Sequence, residues 1–443
     1  MNGLRGWVGM LLVAGSVTAC DSTPPAATGR VEPPTAAREL PVGYGPDGSF
    51  RAPPPSGEGR SVATRWPILL SHPFSVTAEQ SFRGESLQSD GQFDVYGVKR
   101  MLEAGGAVVY QPNKIAYGSH QNRGQLLYRK CAGATLSALL CEGADPEVVD
   151  GVHAATLDYC AQPALRARSG FADEDGCRRG LQFNVICHSQ GCPDSRYMLA
   201  AVRNEFSGEL MHRHIASWTS MAGANKGTAQ ADFYLDLFAA GCLTPDCRSP
   251  AIDAAFAALS LQQNQALILN GSESAVALSM HYMLLSTDMS CDPARRDDCA
   301  PSFNALYPLP DDPVHPVLYQ TFTSYIRDID HPCYGANRDN WTIVVNREGD
   351  NDGNISIDSQ KFTTYGLREA GPATPVIARW VDGQTLDAAR PHPGLNHMAY
   401  ATTRVPGMHD GTLSCDGEDN RHYRFSRLGL YRDIVAELAG WGY

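Results

Sequence analysis

The stretch Val185-Ile186-Cys187-His188-Ser189-Gln190-Gly191-Cys192-Pro193-Asp194-Ser195-Arg196 decides how the chain is read. An apolar run stops at His-Ser-Gln-Gly, and a segment that can start a helix follows. The pattern is close to G-x-S-x-G, with Cys187 in the place of the first glycine. A sharp strand-to-helix turn lifts a serine out of the surface and needs small residues on either side, because strand and helix run close together there. Gly191 meets that need after Ser189. Cys187 meets it approximately before, being small but carrying a Cβ. Val185-Ile186 fits a buried strand, and a helix is expected from Asp194 to about Glu205. A five-residue match is weak on its own, so the rest of the chain has to support it.

Outward from this turn, short apolar runs alternate with helical patterns. Ile68-Leu69-Leu70, Ala107–Tyr110 and Phe183–Ile186 are expected strands, as are Ile215–Met221, Thr342–Val345 and Ala399–Val405. Tyr96–Ala104 and Leu428–Leu438 show helical periodicity. This alternation predicts an α/β fold, a mostly parallel central sheet with helices on both faces. In such sheets the chemistry sits at the carboxyl ends of strands.

The chain has 443 residues, 43% of them apolar, enough for a sizeable core. A formal charge of −12 and the lack of a basic run argue against a nucleic-acid partner. No P-loop, dinucleotide fingerprint or paired C-x-x-C is present. Arg5 precedes the apolar run Trp7–Val17, which is too short to cross a bilayer and fits a secretory leader. Val17-Thr18-Ala19-Cys20 resembles a bacterial lipobox, which implies acylation of Cys20 and a membrane anchor. The expected organisation is a lipoprotein signal peptide over 1–20, a Pro/Gly-rich tether over 21–60 and one catalytic domain over 61–443. The expected location is the cell envelope, on a periplasmic or surface face. Beyond Cys20, 12 cysteines remain of the 13. An even number in an exported chain suggests disulfides. Close spacing favours 131–141, 160–177, 242–247 and 291–299, leaving 187–192 and 333–415; a reduced Cys187 under the turn is the alternative.

Acyl transfer needs a nucleophile, a base, a carboxylate to orient the base and donors for the oxyanion. Ser189 is the candidate nucleophile. The backbone N–H of Gln190 is one candidate oxyanion donor. The other comes from the loop after Ile68-Leu69-Leu70; Pro73 has no N–H, so Phe74 is the donor there. The acidic loop after Thr342–Val345 offers Asp350, Asp352 and Asp358, with Asp352 favoured. For the base, His397 precedes the last expected strand and His409 follows it. His409 is favoured, because a catalytic histidine belongs on the loop between the last strand and the C-terminal helix. No cofactor is required by this chemistry.

Several islands resemble the secreted triacylglycerol lipases of Gram-negative bacteria, within the α/β-hydrolases. Trp66–His72 resembles the strand that runs into their H-G oxyanion loop, and Asn122–Leu127 resembles their R-G-x-Q-L helix opening. His188–Gly191 matches their H-S-Q-G elbow. Asn346-Arg347 with Asn351-Asp352-Gly353 resembles their acid loop. The resemblance implies an α/β-hydrolase fold with a cysteine-containing lid or cap insertion, and ester hydrolysis through an acyl-enzyme. Ser189, Asp352 and His409 would form the triad, with Phe74 and Gln190 as oxyanion donors and an ester or lipid as substrate. Cys187 and Pro73 replace glycines of that family, and insertions fall near 128–180 and 231–331. A structural Ca²⁺ would rest on an N-H-x-D spacing, from which Asp410, adjacent to His409, departs. Alternative readings are a polyester depolymerase or acyltransferase of the same fold, and a non-catalytic surface lipoprotein that uses the fold for binding.

Overall fold

The computed structural model describes residues 49–51, 61–73, 78–82, 97–114, 120–128, 151–231, 303–362, 376–401 and 419–443. Cys20, Phe74, His409, Asp410 and most of the 231–331 insertion lie outside them, as does every expected disulfide except 160–177, 187–192 and one half of 333–415.

Seven strands form one sheet: β1 Ser49–Arg51, β2 Ile68–Ser71, β3 Val109–Tyr110, β4 Phe183–His188, β5 Ile215–Met221, β6 Leu318–Thr323 and β7 Ile377–Asp382. Their spatial order is β1-β7-β6-β5-β4-β2-β3, and every neighbouring pair is parallel. All residues of β4, β5 and β6 are buried. Alternate side chains point to opposite faces, so both faces of the central sheet are covered, as in doubly wound folds. From β2 the chain moves outward to β3 and then returns to the other side of β2 as β4. The strand order reverses there, and in open sheets of this kind ligands bind beyond the carboxyl ends of the strands at such a switch point. The register Ser71↔Cys187 brings those two ends side by side.

The principal helices are α1 Val98–Ala104, α2 His120–Tyr128, α3 Val152–Ala161, α4 Pro163–Ser169, α5 Glu174–Gly180, α6 Gly191–Ala201, α7 Arg338–Glu348 and α8 Arg427–Gly440. α2 packs on α6, and α1 on α8. The part of the 128–180 insertion that is described is helical (α3 to α5), and the Cys160–Cys177 disulfide ties α3 to α5. α6 ends where Val202 turns extended, four residues before the expected end.

Several expectations change. Thr342–Val345 is not a strand but the middle of α7, with only Val344 of the four buried. A four-residue apolar run has no period of its own and fits either state. The sheet positions are filled instead by β6 and β7. β6 reads Leu-Tyr-Gln-Thr-Phe-Thr, and its polar residues hide a fully buried strand. Ala399 and Tyr400 lie in a 3₁₀ turn, His397–Tyr400, rather than opening a strand. Within the stretch read as a tether, Ser49–Arg51 pairs with Trp380–Asp382 at the sheet edge.

Candidate active site

β4 runs directly into the turn. Ser189 has φ 54°, a left-handed conformation that costs a residue with a Cβ on the order of 1–3 kcal/mol. Neighbouring backbone holds it there. Ser189 N–H donates to Met221 O (3.2 Å), while its carbonyl accepts from Cys192 N–H (3.1 Å) and Ala224 N–H (3.2 Å). A Cβ at Gly191 would sit inside 3.0 Å of the Ser71 and His72 carbonyl oxygens, so the start of α6 can pass the end of β2 only as glycine. Cys187 and Cys192 are joined by a disulfide that spans the turn. The reduced Cys187 considered from sequence is therefore not what is found. Gln190 follows as the N-cap residue of α6, where backbone N–H groups have no partner within the helix.

Asp352 reaches the site from the carboxyl end of β6. Ile326 N–H donates to Asn351 O (2.9 Å), which ties the acid loop to the chain leaving that strand. Asp352 Oδ1 accepts from the backbone N–H groups of Asn354 (3.0 Å) and Ile355 (2.8 Å). Its other oxygen, Oδ2, lies 2.8 Å from His397 Nδ1. His397 Nε2 lies 2.8 Å from Ser189 Oγ. A carboxylate only accepts, so Nδ1 carries the proton and Nε2 accepts from the serine hydroxyl. The backbone adds a second link, from His397 N–H to Asp352 O at 2.7 Å.

His188, the residue before the serine, supports the other side of His397. Its Nε2–H donates to His397 O (3.0 Å), and the two rings lie 4.8 Å apart. Burial first, and then the neighbouring His397, hold His188 well below the usual histidine range, so it is a neutral donor. The sequence reading did not single it out.

Of the predicted residues, the structure brings together Ser189, Asp352 and Gln190. Asp350 is exposed and makes no side-chain link to His397. The imidazole between Ser189 and Asp352 belongs to His397, where the sequence reading favoured His409. The reason is the strand assignment. With Ala399–Val405 taken as the last strand, the loop after it led to His409. Among the described residues the last strand of the sheet is β7, and the chain that leaves it reaches His397. Among the described residues, no group of three or more His, Cys, Asp or Glu could hold a metal ion.

A parallel sheet with this order, a strained serine at its switch point and an acid and a histidine delivered from later strands define an α/β-hydrolase fold. No family model matches the sequence, and no curated protein does. Solved structures similar to the chain include lipase 1 from Pelosinus fermentans, with 16% identity, 85% of this chain and 99% of that one covered, and a TM-score of 0.41. EstA from Clostridium botulinum is similar at 14% identity over 94% and 93%, with a TM-score of 0.41. Staphylococcus hyicus lipase is similar at 14% identity over 86% and 97%, with a TM-score of 0.45.

Proposed function

We propose that the protein is a serine hydrolase of carboxylic esters that works through an acyl-enzyme. The observation that carries this reading is the series Asp352 Oδ2–His397–Ser189 Oγ, both links 2.8 Å, on a left-handed serine at the switch point of the sheet. Ser189 Oγ attacks the ester carbonyl while His397 Nε2 takes its proton. Asp352 keeps the proton on Nδ1 and stabilises the imidazolium as it forms. The backbone N–H groups of Gln190 and Phe74 stabilise the tetrahedral oxyanion, each worth about a hundred- to a thousandfold in rate. Collapse breaks the ester C–O bond, and His397 returns the proton to the leaving alkoxide. Water, deprotonated by the same imidazole, then releases the acid and restores Ser189. These steps require no cofactor.

The substrate class in this reading is an acyl ester of lipid type. Cys20 carries the lipid that anchors the enzyme in the cell envelope. The test is turnover of p-nitrophenyl butyrate and palmitate by the full chain, beside labelling by a fluorophosphonate. Both are expected to vanish in Ser189→Ala and in His397→Ala and to persist in His409→Ala. Turnover that survives His397→Ala and is lost in His409→Ala would overturn the assignment of the base. Folded protein that neither labels nor turns over either ester would overturn the hydrolase reading itself. Incorporation of an alkyne-tagged fatty acid in cells, lost in Cys20→Ser, tests the anchor.

A further inference from the structure

Behind the end of β2 lies a cluster of charges sealed from solvent: Lys114, Arg123 and Asp194. An ammonium has three donors, and three acceptors surround Lys114 Nζ: Ser71 Oγ (2.9 Å), His72 O (3.0 Å) and Asp194 Oδ2 (2.9 Å). The backbone N–H of Lys114 donates to His72 Nε2 (2.9 Å). That fixes the His72 tautomer and leaves Nδ1–H to donate to Pro73 O (2.9 Å). Ser71 Oγ in turn donates to Gly191 O (2.9 Å). One residue thus joins the end of β2, the loop that follows it and the first turn of α6, the three segments around Ser189.

Burying these charges is costly. Burial pushes Lys114 down to about 7 against the pull of Asp194. Burial also works against the charge on Asp194, but Arg123 and Lys114 outweigh it and hold that carboxyl far below its usual range. Well-packed apolar side chains can often replace such a cluster without loss of stability. Its geometry suggests a different role. A planar peptide carries its C=O and N–H on opposite sides, so a donor offered to substrate by the residue after Pro73 requires the Pro73 carbonyl to stay turned inward. His72 Nδ1–H and an Arg123 amino group (2.9 Å) both hold that carbonyl. Arg123 belongs to a motif already noted in the sequence and Asp194 to the stretch that carries Ser189, whereas Lys114 belongs to neither.

We propose that Lys114 is a positioning residue for acyl transfer, clamping Ser71, His72 and Pro73 against the first turn of α6 so that the end of β2 and the chain leaving it keep their place beside Ser189. The role rests on the ester-hydrolase reading above, but the clamp itself can be measured without turnover. Lys114→Met keeps the length of the side chain and leaves Asp194 paired with Arg123 and with His120 (3.1 Å).

In the full chain, Lys114→Met is expected to lower kcat on p-nitrophenyl butyrate about a hundredfold, with KM within about threefold, because misplacement of about 1 Å costs that much. Fluorophosphonate labelling should slow in parallel. Amide hydrogen exchange should rise in the peptide 66–73 and stay unchanged in β5 and α8. Lys114→Arg keeps the charge and should recover part of kcat. Ser71→Ala removes the link to Gly191 and should give a smaller loss of the same kind, which keeps the test open if Lys114→Met fails to fold. Exchange at 66–73 that is unchanged while kcat stays within about twofold overturns the proposal. So does a variant whose exchange rises throughout the sheet with kcat and KM moving together, which marks a merely structural residue. A wild-type chain that neither turns over nor labels removes the hydrolase reading alone. Exchange confined to 66–73 in Lys114→Met would then still support the clamp, and unchanged exchange would overturn it.

Discussion

Asp352 and Asp350 are two residues apart in one acidic loop, yet their surroundings give them different chemistry. Asp352 has no exposed surface; two backbone N–H groups hold one of its oxygens and His397 meets the other. Asp350 faces solvent. Asp352→Asn is therefore expected to lower kcat about ten-thousandfold, because an amide at Oδ2 favours the wrong histidine tautomer. Asp350→Asn should stay within about twofold, and steady-state kinetics on one ester separates the two. At this scale the serine and the acid were legible because each sits in a local motif whose neighbours carry the signal: Gly191 after Ser189, Asn351 and Gly353 around Asp352. His397 has no such signature. Its role depends on which strand comes last, and that is a fact about the whole sheet. Lys114 was silent for a similar reason, since its acceptors lie 43, 42 and 80 positions away.

At the scale of elements, apolar content alone did not decide which strands were legible, since β5 carries Ser217, Thr219 and Ser220 among its seven residues. Ile215–Met221 stands as read, whereas β6 was passed over because Gln320, Thr321 and Thr323 are buried by pairing and packing that no local pattern reveals. The elbow itself is an element with its own energetics. The Cys187–Cys192 disulfide closes a loop with a separation of 5 residues, which by chain entropy stabilises the fold by about 2 kcal/mol. Cys187→Ala/Cys192→Ala should lower the unfolding free energy by about that amount, read as a shift in urea midpoint at constant m-value. Gly191→Ala should cost more in activity than in stability. The added methyl meets the backbone of Ser71 and His72, so the start of α6 must move away from β2, carrying Gln190 with it.

For the molecule as a whole, three buried histidines set a lower pH limit. His72, His188 and His214 are each held below the usual value of 6.5 chiefly by burial, His214 at about 4. Each folds neutral and takes up a proton when the chain unfolds in acid, so the unfolded state binds more protons there. Their stabilising contribution is complete above about pH 6.5 and is lost as pH falls; for His214 the loss runs from 6.5 to about 4. Urea midpoints measured at pH 7, 5.5 and 4.5 should fall steadily, with net proton uptake on unfolding that grows toward the acid end. A midpoint unchanged across that range would contradict the neutral assignment of all three.

The pairing of Ser49–Arg51 with Trp380–Asp382 bears on how the protein can be handled. A chain shortened to begin at residue 61 would leave the outer side of β7 without its neighbour. Its backbone donors and acceptors would then be offered to other chains, the usual starting point for edge-to-edge aggregation. Ser49–Arg51, within a stretch that looks dispensable in the sequence, therefore covers the outer side of β7.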